Sequence, residues 1–300
     1  MGGMGQAVET TLGETSMRGN RDLLIRCLGD FTVEIDRRSV LSCSADYGKA
    51  GNRVVTAIFA YLVANIDRPI GRKGLMDLFW PDSEGDKAGN SLSRSLSGLR
   101  ELLRTQVDGK IELVVRRNGD EAYGLRPKVP YRVDENLFVQ KVKAGDRLKR
   151  AGDLNRARQE LESARDLYRG AYMKAVAHNS WCLPRRSQLQ ELYHIALFEL
   201  SDIFERAGEP IEALDHLFKV LDSDTANESA YLKLIDLHWR RGDRTEALRI
   251  YHLYCQVLWE TFGLQPLPSV EALSKRILSG EKPADCHENV CFADVLSLAT

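Results

Sequence analysis

The chain predicts two folded units in succession, an α+β unit and then an all-α unit built from a repeated helical pair. Three observations lead there. Residues 71–104 read as two helices joined by a short turn, and a hairpin signal follows at Asn118-Gly119. Beyond Pro127 the apolar pattern is helical throughout. Within that half, Gly152-Asp-Leu-Asn-Arg-Ala157, Gly208-Glu-Pro-Ile-Glu-Ala213 and Gly242-Asp-Arg-Thr-Glu-Ala247 share one frame: glycine, four residues, alanine.

The elements follow in order. Residues 1–20 are rich in Gly, Thr and Ser without an apolar core, so they read as a flexible tail and not as a secretory signal. Leu23 to Ile35 reads as paired short strands turning at Gly29-Asp30, with Val40-Leu41 as a third strand. Asn52 to Asn65 is an apolar helix. The next helix ends at Trp80, because Pro81 disfavours the helical region for the residue before it. The helix over 86–104 carries Leu92, Leu96, Leu99 and Leu103 at helical spacing. Its other face holds Asn90, Arg94, Ser97, Gly98 and Arg104, which is polar, cationic and low in bulk. Such a face suits a helix that enters a DNA major groove. Ile111 to Arg117 and Glu121 to Leu125 then pair across the turn. Helix, turn, helix, hairpin is the order of a winged helix, and the unit is bounded at 21–126.

The second unit is bounded at 127–280. Its predicted helices are 134–150, 154–169, 184–207, 210–222, 226–240, 244–262 and 267–279. Gly208 and Gly242 are 34 residues apart, the period of a tetratricopeptide helix pair. The 56 residues from Gly152 to Gly208 add an insertion that holds Tyr168 to Tyr172 and Trp181 to Pro184. In this frame glycine lies in the turn and alanine where two helices pack closely, and several pairs must stack to bury their apolar faces. Leu248 shares a stripe with Tyr251 and Cys255 and is expected to be buried between repeats. The tail 281–300 lacks periodicity, apart from a short helical pattern at Val290 to Leu298.

Composition narrows the function. Hydrophobic residues make up 43% and charged residues 28%, which suits a soluble globular chain, and the net charge of −1 excludes a generic polyanion binder. Charge is nevertheless uneven, since between Lys87 and Arg117 seven Lys/Arg face three acids. The six cysteines are scattered without Cys-x-x-Cys, as expected of reduced cytosolic thiols. Cys286-His287 with Cys291 lacks a second ligand pair, so no metal is expected. His178, His194, His216, His238, His252 and His287 show no metalloenzyme spacing, and no nucleophile elbow or phosphate loop is present. The chain is therefore read as no enzyme and without a cofactor. No stretch approaches the roughly 20 apolar residues of a membrane span, which places the expected location in the cytoplasm.

The span from about 23 to 279 resembles the bacterial transcriptional activator domain family. The resemblance rests on Leu28-Gly-Asp-Phe31, Leu75 to Asp82 with Phe-Trp-Pro-Asp, and Asn90 to Arg100. It extends through Tyr123-Gly-Leu125, Val133-Asp134, Tyr168-Arg-Gly170 and Trp181, then Leu248 to Tyr251 and Phe262 to Pro266. It implies an OmpR-type winged helix followed by a tetratricopeptide-like domain, in a family that includes regulators of antibiotic gene clusters in actinomycetes. Implied partners are duplex DNA, RNA polymerase and a second copy of the chain. One feature departs from the family: its recognition helices usually carry several arginines, whereas this helix has Ser91, Ser93, Ser95 and Ser97. No receiver domain or nucleotide-binding loop is found, and the chain is too short for the ATPase modules that some relatives append.

The expected function is that of a DNA-binding transcriptional regulator, an activator by family. Asn90, Arg94 and Ser97 are the candidates for base edges, with Ser91 on the same helix. Arg100 and Arg104 flank the helix and would reach phosphate or a carboxylate, an internal salt bridge being the equal alternative for Arg100. Arg72 and Lys73, at a helix start, would meet backbone phosphate or only solvent. Arg116 and Arg117 adjoin the hairpin turn, and since neighbouring strand residues point to opposite faces, one of them would meet phosphate. The alternative is a tetratricopeptide-like interaction scaffold whose winged helix no longer binds DNA.

Overall fold

The computed structural model describes residues 23–43, 50–118, 120–176 and 179–283. Two compact units meet at the Val133–Asp134 junction.

In the first unit β1 (Leu23–Arg26), β2 (Phe31–Ile35) and β3 (Arg38–Cys43) form a meander. Alternation sets their faces: Leu23, Ile25, Phe31, Val33 and Ile35 point inward, and Arg26 and Glu34 pair across the other side. The β2–β3 turn places Asp36 and Arg37 at positive φ, which fits a tight hairpin. Helix α1 (Ala50–Ala64) buries Ile58, Phe59 and Leu62, and Phe59 meets Phe31 edge-on with ring centroids 5.2 Å apart. After β4 (Ile70–Gly71) come α2 (Arg72–Phe79) and α3 (Gly85–Thr105). The hairpin of β5 (Ile111–Asn118) and β6 (Asp120–Pro127) follows.

Two short strands extend beyond the expected set. β4 pairs with β6, giving a sheet in the order β4-β6-β5. β7 (Tyr131–Val133) runs parallel to β1, giving the order β3-β2-β1-β7. The sequence boundary at 126 falls short of this unit, because the parallel pairing of β7 needs the seven-residue return after Arg126.

The second unit is helical: α4 (Asp134–Arg150), α5 (Leu154–Leu167), α6 (Leu183–Arg206), α7 (Pro210–Ser223), α8 (Glu228–Arg240), α9 (Arg244–Phe262) and α10 (Pro268–Ser279). Gly152, Gly208 and Gly242 lie in the turns α4–α5, α6–α7 and α8–α9, at φ +82°, +76° and +82°. Each turn closes with the same two bonds. The glycine N–H reaches back three residues, and the next N–H reaches back five, as in Asp153 to Leu148, Glu209 to Phe204 and Asp243 to His238. The frame's alanines, Ala157, Ala213 and Ala247, are fully buried. Gly280 closes α10 with the same pair of bonds, although the sequence frame did not include it. Architecture and order are those expected, an α+β winged helix and then an all-α tetratricopeptide-like unit.

The insertion forms two 3₁₀ turns, Lys174–Val176 and Ser180–Cys182. Tyr172, Met173 and Cys182 are buried there, and the Arg186 Nε donates to the Tyr172 carbonyl at 3.0 Å. Tyr168 stacks on Tyr193 at 4.1 Å between ring centroids. One expectation on packing is corrected. Leu248 is only half-buried, as are Tyr251 and Cys255. The stripe that enters the core is Ala247, Ile250, Tyr254 and Leu258, one residue away around the helix. The patterns at 286–291 and 290–298, and His178, lie outside the described residues.

Candidate nucleic-acid interface

Helix α3 acquires its two faces from spacing alone. Ala88, Leu92, Leu96, Leu99 and Leu103 are buried. The residues between them turn outward, so Asn90, Ser93, Arg94, Ser97, Gly98, Arg100, Glu101 and Arg104 are exposed, and Ser91 is half-buried. Gly98 is an edge rather than a free position, since a Cβ there would stand 3.3 Å from the Val55 Cγ2 of α1.

Electrostatics on this face is sparser than the residue count suggests. Arg104 forms a two-pronged pair with Glu101, Nε to Oε2 at 3.0 Å and Nη2 to Oε1 at 2.7 Å. The Arg104 hydrogen bond holds the Glu101 carboxyl below its ordinary pKa. Lys87 pairs with Glu84 at 2.9 Å, and Lys110 lies 4.0 Å from Asp108. Arg94 and Arg100 form no ion pair among the described residues, nor does Lys73 on α2, which is exposed. The serines are partly committed: the Ser93 hydroxyl donates to the Gly89 carbonyl at 2.8 Å, and that of Ser97 to the Ser93 carbonyl at 3.0 Å. The Ser93 Oγ also accepts from the Arg72 Nη2 at 3.2 Å.

Arg72 sits differently from the expectation of a phosphate contact. Its Nη2 donates to the Gly89 carbonyl at 3.0 Å and to the Ser93 Oγ at 3.2 Å. Its Nη1 donates to the Tyr123 hydroxyl at 3.1 Å and lies 3.7 Å from the Glu121 carboxylate. The Tyr123 hydroxyl in turn donates to Glu121 at 2.8 Å. Burial acts first to raise the Tyr123 pKa. Sequence reasoning missed Gly89, Glu121 and Tyr123 as members of this site, because 51 residues separate Arg72 from Tyr123 and no local period links them.

Arg116 and Arg117 stand on β5 opposite Ala122 and Glu121, at the tip end of the hairpin. Their side chains, and Gly119 at the turn, lie outside the described residues. Among the described residues no group of His, Cys, Asp and Glu is placed to hold a metal ion. His194 and His216 are buried within the helical unit, where burial lowers both pKa values, and the His194 Nε2 shares a 2.8 Å bond with the Ser223 Oγ.

A helix-turn-helix with a hairpin wing, followed by stacked helical pairs, defines a class in which a winged helix precedes a helical repeat domain. Residues 133–278 match the family described as the bacterial transcriptional activator domain. The transcriptional regulatory protein EmbR of Mycobacterium tuberculosis is 26% identical over 238 residues, which are 78% of this chain and 59% of the relative. The regulatory protein AfsR of Streptomyces coelicolor is 26% identical over 226 residues, 75% of this chain but only 22% of the relative. The chain thus spans about three fifths of the mycobacterial relative, as the 59% figure states. Among solved structures, M. tuberculosis EmbR in complex with a low-affinity phosphopeptide matches with a TM-score of 0.66 at 23% identity, over 89% of this chain and 67% of that one. That likeness shows the shared fold.

Proposed function

We propose that this chain is a DNA-binding transcriptional regulator that acts as an activator, with α3 in the major groove and the β5–β6 hairpin against the backbone. One observation carries the reading. Among the described residues, the outward face of α3 keeps Arg94 and Arg100 without ion-pair partners, whereas Lys87, Arg104 and Lys110 are paired with Glu84, Glu101 and Asp108. An arginine held out on a helix between small residues suits bidentate contact with guanine. Asn90 and Ser97 share this face and are assigned to neighbouring base edges, with Ser91 at its margin. Arg100, Lys73 and one of Arg116 and Arg117 are assigned to phosphates, which position the protein without reading sequence. Arg104 is held in reserve by Glu101, and Arg72 takes another role. The helical unit is assigned to self-association or to contact with RNA polymerase. The relatives are named a transcriptional regulatory protein and a regulatory protein, which supports the regulator reading. No described helix is long and apolar enough to cross a membrane.

The serine-rich face favours a second reading, a scaffold whose winged helix has lost DNA. Two free arginines on α3 supply less counterion release than a cluster would. Fluorescence anisotropy of the full chain on a random-sequence duplex across a salt series separates the two. Binding that weakens linearly in log–log form supports DNA recognition. No binding even at low salt overturns it in favour of the scaffold.

A further inference from the structure

We infer that Arg72 is a positioning residue, a single planar fork that holds the recognition helix and the wing strand in one frame. The inference rests on the DNA-binding reading for its functional consequence, though not for its geometry. A guanidinium presents its donors in a rigid plane, unlike the point charge of lysine. Here one terminal nitrogen is spent on α3, at the Gly89 carbonyl and Ser93 Oγ, and the other on β6, at the Tyr123 hydroxyl. The backbone reinforces the same union, because Ile70 and Gly71, immediately before Arg72, pair with Tyr123 and Ala122. Side chain and main chain of 70–72 therefore clamp one stretch of the wing while the fork reaches the recognition helix.

The surroundings are shaped to admit this fork. Gly89 has an ordinary helical backbone, yet a Cβ there would lie 3.2 Å from the Arg72 Nη2. Glycine weakens a helix interior relative to alanine, and here the missing Cβ leaves room for the fork at the Gly89 carbonyl. Ser93 donates to that same carbonyl and accepts from Arg72, which closes a small polar ring on the side of α3 facing the wing. Glu121 stands opposite Arg117 in register, so its charge lies at the root of the wing tip. The nearby guanidinium and the tyrosine hydroxyl both engage it. An uncompensated carboxylate there would repel phosphate.

A positioning role and a phosphate contact predict opposite patterns. If Arg72 met phosphate, Arg72→Lys would bind nearly as wild type, and Arg72→Gln would lower the log–log salt slope by about 1. If Arg72 positions the helix and wing, Arg72→Lys keeps the charge but loses the fork. The ratio of specific to random DNA affinity then falls about tenfold, as loss of a charge-assisted bond implies, with the slope unchanged. Tyr123→Phe should show a smaller loss of the same kind. Circular dichroism of each full-chain variant confirms that it is folded. Hydrogen exchange supplies a readout without DNA: Arg72→Lys should speed exchange together in residues 89–93 of α3 and 121–123 of β6, leaving the helical unit unchanged. Unchanged exchange in either element overturns the inference, as does a wild-type affinity ratio for Arg72→Lys. Failure of the wild-type chain to bind any duplex overturns the DNA reading instead, and the exchange result still decides the role of Arg72.

Discussion

The turns inside the helical repeats and the turn between α2 and α3 solve one problem, how to reverse a chain between packed helices, by different means. At Gly152, Gly208 and Gly242 the solution is local. A left-handed glycine and two backbone bonds, all within six residues, close each turn. Asp153 and Asp243 then cap the next helix through their side chains, while Glu209 makes no such cap and Pro210, which has no N–H, starts the helix with one donor fewer to satisfy. Between α2 and α3 no left-handed residue is used. Pro81 and the Trp80 N–H bonded to the Met76 carbonyl end the first helix, and Arg72 fixes the second from a distance. Charge follows the same division. In the helical unit, Lys149 meets Glu199 and Asp202, Lys233 meets Asp202, and Arg240 meets Glu205 and Asp236. On α3 Arg94 and Arg100 stay uncommitted. Cations consumed internally tie helices together, and those left over are available to a partner.

The largest effect expected comes from placing a carboxylate on the two competing stripes of α9. Ile250→Asp buries an unpaired charge beside Tyr254 and Leu258, at a cost of several kcal/mol or a forced neutralisation. That approaches the whole stability of a typical domain. Leu248→Asp, at a half-buried position, should lower the melting temperature far less. Thermal denaturation by circular dichroism compares them, and equal losses would put Leu248 back in the core.

Next in size is the contrast on α3. Arg94→Ala should cost about 1–3 kcal/mol in discrimination on a mapped site. Arg104→Ala should cost much less, because Glu101 already holds that guanidinium. Anisotropy titrations on matched and mutated duplexes measure both, and a larger effect from Arg104 would rotate the helix in the groove.

The turn comparison is sharpened by two glycines with open space around them. Gly242→Ala forces an L-residue to φ near +82° and should cost about 1–2 kcal/mol. Gly85→Ala, at the start of α3 with no positive φ, should be neutral or gain up to about 1 kcal/mol from helix propensity. Urea denaturation midpoints decide. Similar losses at both would mean that the two turns are alike after all.

The smallest effect concerns the ion pairs. Burial acts to raise the Asp202 pKa, but Lys233 and Lys149 outweigh it and leave the carboxyl below its ordinary value. A carboxylate with a depressed folded pKa stabilises above its unfolded pKa of about 3.9, and that contribution is lost as pH falls through the folded value. Asp202→Asn should therefore lower stability at neutral pH and flatten its decline in acid below about pH 4. A parallel acid decline in both proteins would show that the pair contributes nothing.

The sequence alone determined what depends on neighbours along the chain. Helical spacing marked the buried leucines of α3, glycine marked the repeat turns, and Asn118-Gly119 marked the hairpin, because each signal lies within a few residues. The exposed set Asn90, Arg94, Ser97 and Arg100 followed from the same period. What it did not reveal depends on residues far apart. β7 joins β1 across more than 100 residues, and Arg72 bonds to Gly89 and Tyr123, which no local period links to it. The choice between the 247–250–254–258 stripe and its neighbour on α9 belongs here too, since both are apolar and only packing against the adjacent helices selects one. Period and turn chemistry fix which face a residue occupies, while the partner that a charged or half-buried side chain finds there is set by tertiary proximity.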